Sequence, residues 1–470
     1  MELIEKTASE VINLLRSGEI TPIDCIKSIE KRIAKVNHKV NALTTLCFDR
    51  ARKSALEIQK LPLSERGILA GLPLPIKDLV DVSDVRSTRG STIFRNNIPK
   101  DSDFIVKNIE KNGGIIFAMS NTPEFGAGAN TFNELFGSTL NPWDTSLSCA
   151  GSSGGAAVAL ATGMAWIAHG SDMGGSLRNP ASFCSVVGMR PSPGRVSSTI
   201  FNKIDDTLGV NGPMARNIKD LAICFDAMIG RNYDDPLSMP IENRTFYSQA
   251  ISGWRPTKIA FSYDLGLPPV DKSIKETVLK VVKKLEKEGI SVEENQPDLT
   301  DAPECFQILR SLSFFVNLKD LYKKHKDQLK PEIIWNIEKG MNLTAEQISK
   351  AEKQRVRIFN NAQRFFQKYD LLLCPATIVP PFPVDERYVS ECDGHKFETY
   401  IDWLNIVSAI TLTCCPALSL PAGFTKSHLP VGLQVVAPNR DEGKLLSGSL
   451  FIEELISIKE KLPIDPISKY

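Results

Sequence analysis

Apolar residues along this chain alternate between stretches at helical spacing and short continuous runs. Residues 21–24, TPID, combine an N-cap threonine, a proline at the first helical position and an acid at the third. Isoleucines follow at helical spacing at positions 26, 29 and 33. This pattern predicts helices within the first sixty residues. The next apolar run, residues 71–82, has the continuity of a buried strand and contains one lysine, Lys77.

Strand-like and helical segments continue to alternate further along. The spacing predicts strands over residues 114–121, 166–172, 258–264, 290–295, 369–380, 416–424 and 430–438, and helices over 101–114, 156–165, 272–288, much of 302–368 and 440–455. Such alternation is typical of an α/β fold. No internal repeat, low-complexity segment or linker divides the chain, so we predict one large domain over residues 1–470.

The composition of the chain favours no particular class of function. The chain carries 56 basic and 55 acidic residues, a net charge of +1 that favours neither nucleic acid nor a membrane surface as a partner. The ten cysteines form no CxxC pair and no Cys/His cluster with zinc spacing, so no metal site is predicted. The first residues lack the features of a secretory signal, and no apolar run reaches membrane-spanning length. We therefore expect a cytoplasmic protein with reduced thiols.

Two clusters of glycine and serine indicate the chemistry. GSSGG occupies residues 151–155 and GSDMGGS residues 170–176, with an apolar run between them. Glycines allow sharp turns and close approach of the backbone to a ligand. Successive N–H groups in such a turn can stabilise an oxyanion, and Ser176 ends the second turn, where its hydroxyl can attack the same carbonyl. We expect Asp172 to pair with Arg178 and brace this turn. The pattern points to acyl transfer.

GSSGG also fits the G-x-S-x-G motif of α/β-hydrolases, with Ser153 as nucleophile. That motif requires an acid and then a histidine further along the chain. The downstream histidines are His169, His325, His395 and His428, in settings that look solvated. A helix N-terminus with flexible glycines is the structural alternative for the same residues.

Lys77 interrupts an apolar strand, and burial of an ammonium group is costly. The side chain must therefore be paired or have a lowered pKa. Pairing with the adjacent Asp78 is the simpler interpretation of the strand alone. A lysine made neutral by burial would instead be a competent general base.

Taken together, these segments resemble the amidase signature family. The matching segments are LPIKDLV (74–80), AGSSGG (150–155) and GSDMGGSLRNPASFCSVVGMRPSPG (170–194), supported by NTPEFGAG (121–128), FGSTLNPWD (136–144) and the C-terminal PALSLPAGF and LPVGLQVVA. The resemblance covers most of the chain, and the spacing agrees. Ala150 replaces the usual first glycine, and Ser171 stands where threonine is frequent. The resemblance implies a central mixed β-sheet covered by helices on both faces. It also implies a signature core at about residues 65–200 and a variable, helical substrate-side region at about 300–400.

The resemblance implies a Ser–Ser–Lys triad. Ser176 would be the acylated nucleophile, Ser152 would relay the proton from a cis peptide, and Lys77 would be the base. The other implied residues are the oxyanion-hole amides of Met173, Gly174, Gly175 and Ser176, the pocket segment Gly126, Ala127 and Gly128, and the structural pair Asp172 and Arg178. No metal or organic cofactor is implied.

The implied activity is hydrolysis of the C–N bond of a small-molecule carboxylic amide through an acyl-serine intermediate. A homodimer is the oligomeric state that we expect. Two alternatives stay open. The chain could be the glutaminase subunit of a tRNA-dependent amidotransferase, which releases ammonia to partner subunits. It could also be a non-catalytic binding protein on the same scaffold, although the intact Lys77, Ser152 and Ser176 argue against that.

Overall fold

The computed structural model describes residues 2–199, 204–267 and 269–468. Its α-helices are α1 (Ala8–Ser17), α2 (Pro22–Val40), α3 (Phe48–Lys60), α4 (Phe104–Lys111), α5 (Gly154–Ala161), α6 (Arg178–Cys184), α7 (Ile218–Met228), α8 (Phe246–Ala250), α9 (Lys272–Lys287), α10 (Ala302–His325), α11 (Pro331–Met341), α12 (Ala345–Phe365), α13 (Asn405–Leu412) and α14 (Glu442–Ile456).

The strands are β1 (Leu43–Leu46), β2 (Pro73–Lys77), β3 (Ile115–Ser120), β4 (Phe132–Asn133), β5 (Gly137–Ser138), β6 (Leu140–Asn141), β7 (Asp144–Ser148), β8 (Ile167–Asp172), β9 (Val187–Arg190), β10 (Val210–Ala215), β11 (Lys258–Phe261), β12 (Ser291–Glu294), β13 (Leu371–Pro375), β14 (Glu391–Cys392), β15 (His395–Lys396), β16 (Ala417–Phe424) and β17 (Pro430–Val436).

The main sheet has eight strands in the order β12-β11-β13-β17-β16-β9-β10-β8. The first three strands of this order run parallel to one another, and every later neighbour is antiparallel. Helices α6 and α9 both pack on the β16–β17 pair, and α7 packs on β10. The predicted α/β fold with a central mixed sheet is therefore confirmed.

A smaller sheet, in the order β1-β3-β2, lies against the open edge of the main sheet. Its β2 strand runs beside β8, where the amide of Lys77 donates to Nδ1 of His169 over 3.3 Å. This contact between edges brings the lysine-bearing run next to the GSDMGGS cluster.

Helix α5 connects GSSGG to β8 and is buried along its whole length. Its small residues permit a very close approach to the neighbouring chain. A Cβ atom on Gly155 would lie 2.4 Å from the amide nitrogen of Asn121, so only glycine fits there. Close packing of α5 fixes the position of the serines that precede it.

One main apolar core extends from the first helices to α14. A second, smaller core joins Ala127 to the facing sides of α10 and α11, through Phe314, Leu329, Ile333 and Ile337. This smaller core attaches the helical region to the loop that follows β3. Among the helices of the described ranges, none has the length and apolar composition needed to cross a bilayer.

The main difference from the predicted elements lies near the N-terminus. Leu43–Leu46 was predicted as part of the helical first sixty residues but forms β1, antiparallel to β3. This segment buries only Leu43, so its pattern carries no strand periodicity, and pairing with β3 decides its structure. Strands β9 and β10 were not predicted either.

Candidate active site

Lys77 ends β2 with its side chain completely buried. Its Nζ atom lies 2.7 Å from Oγ of Ser152, 2.9 Å from Oγ of Ser153 and 3.0 Å from Oγ of Ser171. Within the described chain, no carboxylate lies within ion-pair distance of this nitrogen. Burial lowers the pKa of Lys77 to about 7, although the charge of Asp172 opposes the shift. A large share of this lysine is therefore neutral near neutral pH and able to accept a proton.

Asp78 does not pair with Lys77, so the simpler sequence interpretation was wrong. Its carboxylate accepts hydrogen bonds from the amide and hydroxyl of Thr88, over 2.6 and 2.5 Å, and from the amide of Arg89 over 3.3 Å. Burial raises the pKa of Asp78 to about 6, against the effect of these hydrogen bonds. The group holds the 88–89 turn instead of neutralising the lysine.

Ser152 lies in the loop before α5, and the peptide bond between Gly151 and Ser152 is cis, as the resemblance implied. Its hydroxyl is buried against Lys77. Thr131 Oγ1 donates to the carbonyl of Ala150 over 2.8 Å, and a Cβ on Gly154 would lie 2.2 Å from that hydroxyl oxygen. Gly151 and Gly154 are therefore required for the close approach of this loop to Thr131.

Ser153 has a structural environment. Its hydroxyl contacts Lys77 and donates to the carbonyl of Ser171 over 3.2 Å, and its amide donates to the carbonyl of Ser176 over 3.1 Å. Ser153 thus joins the two glycine–serine clusters.

No histidine of the described residues hydrogen-bonds to Ser153, as the α/β-hydrolase alternative would require. The buried His169 accepts from the Lys77 amide through Nδ1, and its Nε2 lies 3.0 Å from Oδ1 of Asn211. Burial lowers the pKa of His169 to about 4. Both ring nitrogens are engaged, and His395 and His428 are exposed.

Asp172, at the end of β8, organises the turn before Ser176. Arg178 binds both carboxylate oxygens, with distances of 2.9 Å from Nη2 and 3.0 Å from Nε. Nη1 of Arg190 lies 3.5 Å from Oδ1, and all three side chains are fully buried. Burial alone would raise the pKa of Asp172, but the two guanidinium charges hold it well below its usual range.

The same carboxylate accepts from the amides of Gly175, over 2.9 Å, and Leu177, over 3.1 Å. The Gly175 amide, one of the four predicted oxyanion donors, is thus already occupied. Within the residues that the structure describes, the amides of Met173, Gly174 and Ser176 have no hydrogen-bond acceptor. These three donors remain available to a ligand.

Ser176 is half-buried and directly follows this turn. Its Oγ atom makes no hydrogen bond to Lys77 or Ser152 among the described contacts, so the structure joins the lysine to Ser152 directly and places Ser176 on the adjoining loop. A Cβ on Gly126 would lie 3.4 Å from Oγ of Ser152, which puts the segment 126–128 beside the same hydroxyl.

A cavity of about 680 Å³ opens next to this turn, with Met173 in its wall. Aromatic and aliphatic side chains form much of the lining, namely Leu79, Phe94, Phe125, Phe314 and Leu318. The polar part of the wall includes Arg89 and Asp81, which form an ion pair of 3.0 Å. No group of three or more His, Cys, Asp or Glu side chains suited to a metal ion occurs in the described ranges.

Sequence reasoning missed Lys330, which stands among many lysines of the helical region and has no distinguishing pattern around it. Its buried Nζ donates to the carbonyl of Ala127, and its amide donates to Oε2 of Glu124 over 2.9 Å. Burial lowers the pKa of Lys330 to about 8, against the charges of Glu332 and Glu124. Lys330 thereby holds the predicted pocket segment Gly126, Ala127 and Gly128 at its central carbonyl.

Comparison with known proteins places this site in a family. Residues 24–446 match the family described as Amidase. The chain is 30% identical to one of the subunits of the glutamyl-tRNA(Gln) amidotransferase of Halothermothrix orenii, over 98% of this chain and 100% of that protein. It is 28% identical to an acylamidase of Rhodococcus erythropolis, over 98% of each chain.

Among solved structures, that of a bacterial aryl acylamidase superposes with a TM-score of 0.90 at 24% identity, over 96% of each chain. This likeness confirms the fold. The family match, which spans nearly all of the chain, confirms the predicted class of enzymes that hydrolyse amide C–N bonds. The chain belongs to the amidase signature family.

Proposed function

We propose that the protein is a free amidohydrolase that cleaves a small-molecule carboxylic amide through an acyl-Ser176 intermediate. One observation carries this proposal: the buried Nζ of Lys77, which no carboxylate of the described residues pairs with, lies 2.7 Å from Oγ of Ser152. A neutral amine against a hydroxyl is the arrangement that a proton relay requires.

In the proposed mechanism, Lys77 takes the proton of Ser152 while Ser152 takes that of Ser176, whose Oγ attacks the amide carbonyl. The oxyanion accepts hydrogen bonds from the free amides of Met173, Gly174 and Ser176. Collapse breaks the C–N bond, and the proton returns through Ser152 to the leaving amine. Water then attacks the acyl-Ser176 ester and gives one proton to Lys77 by the same route. Breakage of the ester C–O bond releases the acid as that proton returns through Ser152 to Oγ of Ser176.

The cavity supports a substrate with an aromatic or alkyl body. Its volume of about 680 Å³ lies within the range of pockets for drug-sized ligands, and Phe94, Phe125 and Phe314 supply apolar walls. We propose that the segment Gly126, Ala127 and Gly128 lines the scissile bond, because small residues there leave room beside Ser152.

A glutaminase subunit of an amidotransferase is the second candidate, favoured by the 30% identity to the amidotransferase chain of Halothermothrix orenii over its whole length. Two activities distinguish the candidates: a glutaminase subunit releases ammonia from glutamine, and a free amidase hydrolyses aryl amides. A free amidase hydrolyses para-nitroanilides as the purified chain, whereas a glutaminase subunit requires its partners and co-purifies with them.

Labelling with a fluorophosphonate, followed by peptide mass spectrometry, tests the assignment of the nucleophile. We expect an adduct on Ser176, and we expect Ser176→Ala to lose both the adduct and the hydrolysis of amides. Ser153→Ala is the matched control and should keep the adduct on Ser176. An adduct on Ser153 would contradict the triad, and the absence of both adduct and hydrolysis would favour a binding protein.

We also propose that the protein is cytoplasmic and forms a homodimer. Within its single domain, we propose that residues 65–200 form the signature core and residues 300–400 the variable region. All ten cysteines are free thiols, which suits a reducing compartment. Light scattering of the purified protein tests the dimer, and fractionation of the source cells tests the location.

A further inference from the structure

Arg310 on α10 is a buried cation that no carboxylate of the described residues pairs with. Only 7% of the residue is exposed. Nη2 donates to the hydroxyl of Tyr400 over 3.1 Å, Nη1 donates to Sδ of Met173 over 3.4 Å, and Nε has no acceptor among the described groups. A guanidinium removed from water is normally retained with a carboxylate or another strong acceptor.

The carboxylates nearby are already bound by other groups. Glu332 accepts from Nε and Nη2 of Arg387, over 2.9 and 2.8 Å. Glu124 accepts from the Ser91 hydroxyl over 2.6 Å and from the amide of Lys330 over 2.9 Å. The charges of Glu124, Glu332, Arg387 and Arg310 all act on Lys330, so the five groups lie near one another, and all but the exposed Arg387 are buried. Arg387 pairs with Glu332, and the ammonium of Lys330 donates to the carbonyl of Ala127, so Arg310 is the buried cation here that lacks a strong acceptor.

Arg310 lies directly behind the wall of the cavity. Its guanidinium carbon is 4.5 Å from the centroid of the Phe314 ring, and both Phe314 and Met173 line the cavity. Met173 also belongs to the turn whose free amides face the proposed reaction centre. One small substrate could therefore place its amide carbonyl at this turn and an anionic group at Arg310.

The present acceptor of Nη1 is easily replaced. A thioether sulfur is a weak acceptor, and the methionine side chain is flexible, so its displacement costs little. A carboxylate in its place would make a charge-assisted hydrogen bond with Nη1, where the weak thioether acceptor now lies.

We propose that Arg310 is a substrate-binding residue and that the amide hydrolysed by this protein carries a carboxylate, which displaces the thioether of Met173 and pairs with Arg310. This inference rests on the proposed function only for the position of the scissile amide at residues 173–176. The substrate class is thus an amide with an apolar body and one acidic group.

Binding to the inactive Ser176→Ala protein tests the inference without turnover. The probes are the mono-para-nitroanilides of succinic, glutaric and adipic acids, each compared with its methyl ester by calorimetry. N-butanoyl para-aminobenzoate and its methyl ester place the acid on the amine side instead. We expect at least one acid to bind about tenfold or more tightly than its ester. The chain length that binds best then reports the distance from the scissile carbonyl to Arg310.

Arg310→Met in the same background should abolish the difference between acid and ester, and Arg310→Lys should keep part of it, because lysine retains the charge but not the fork. Arg357→Met is the control: Arg357 is exposed, pairs with Asp301 and does not line the cavity, so the difference should persist. The Arg310→Lys variant keeps the test open if Arg310→Met does not fold.

Equal binding of acid and ester in every pair, or a preference kept in Arg310→Met, would overturn the assignment of Arg310. Failure of the proposed function gives a different result. The acids would then still bind through Arg310, but the protein with Ser176 intact would neither be labelled nor hydrolyse either member of a pair.

Discussion

The carboxylate of Asp172 accepts a hydrogen bond of 2.9 Å from the amide of Gly175, the residue immediately before Ser176. Because Arg178 holds the same carboxylate through two further bonds, a buried ion pair fixes the shape of the turn. Gly175 has a φ of +97°, and a Cβ there would lie 2.5 Å from Cγ2 of Val407. The turn is thus held in one shape before any ligand arrives, with its donors already in place.

Asp172→Asn should destabilise the protein strongly. The change leaves the guanidinium groups of Arg178 and Arg190 buried without a negative partner, which costs about 3–5 kcal/mol of unfolding free energy. Guanidinium chloride unfolding measures the loss. The exposed pair of Lys31 and Glu2 supplies the control, since Glu2→Gln should produce no measurable change. Similar unfolding midpoints for the two variants would contradict the bracing role of Asp172.

Hydrolysis should depend on the neutral form of Lys77. Since burial lowers the pKa of Lys77 to about 7, the lysine is protonated and inactive below that pH and free to accept a proton above it. We expect kcat/KM to rise as the pH increases through about 7 and then to level off. A pH profile with a neutral anilide measures this, and a flat profile across that range would contradict it.

Replacement of Lys77 gives a second measurement of the same role. Lys77→Met and Lys77→Arg should both be inactive at every pH, because arginine does not lose its proton in proteins. Lys219→Arg, at a half-exposed ion pair with Glu454, should keep the wild-type profile. Full activity of Lys77→Arg would show that only the positive charge matters, and would remove the lysine from the proton relay.

Ser152→Ala and Ser153→Ala should differ sharply, although both hydroxyls contact Lys77. Loss of Ser152 interrupts the proposed relay, and a positioned proton-transfer group contributes about 10²–10⁴ in rate. Ser153 instead donates to the carbonyl of Ser171, so its loss should slow the reaction much less. Rates of fluorophosphonate labelling compare the two variants directly. A greater loss in Ser153→Ala would transfer the relay to that serine.

Elements determined by their own residue pattern were predictable from the sequence. The continuous run before Lys77 formed β2, the alanine-rich run formed α5, and the lysine reached the serine cluster that the resemblance had paired with it. Contacts set by tertiary packing were not predictable. Asp78 accepts a hydrogen bond from Thr88, and does not pair with Lys77, because the chain turns back after β2. Lys330 contacts Ala127 from a distant part of the sequence, and no local sequence pattern predicts that contact.

Lys330→Met should reduce activity through the segment beside Ser152. The ammonium donates to the carbonyl of Ala127, and its loss frees the backbone that approaches the reaction centre. Misplacement of groups around a reacting bond is costly, so we expect kcat to fall by about tenfold or more. Lys326→Met is the control, because its ammonium pairs with Glu338 at the surface. A fall in melting temperature with unchanged kcat would limit Lys330 to a structural role.

Gly126→Ala should obstruct the site itself. A Cβ on Gly126 would lie 2.9 Å from Cδ1 of Leu79 and 3.4 Å from Oγ of Ser152, and its φ of +69° disfavours any side chain. Gly253→Ala is the control that distinguishes backbone strain from obstruction of the site. Gly253 has a φ of +79°, but a Cβ there would meet nothing within 4 Å. We expect both alanine variants to lose stability, and only Gly126→Ala to lose kcat/KM well beyond the fraction that unfolds. Equal losses of kcat/KM would mean that the segment 126–128 does not border the reacting amide.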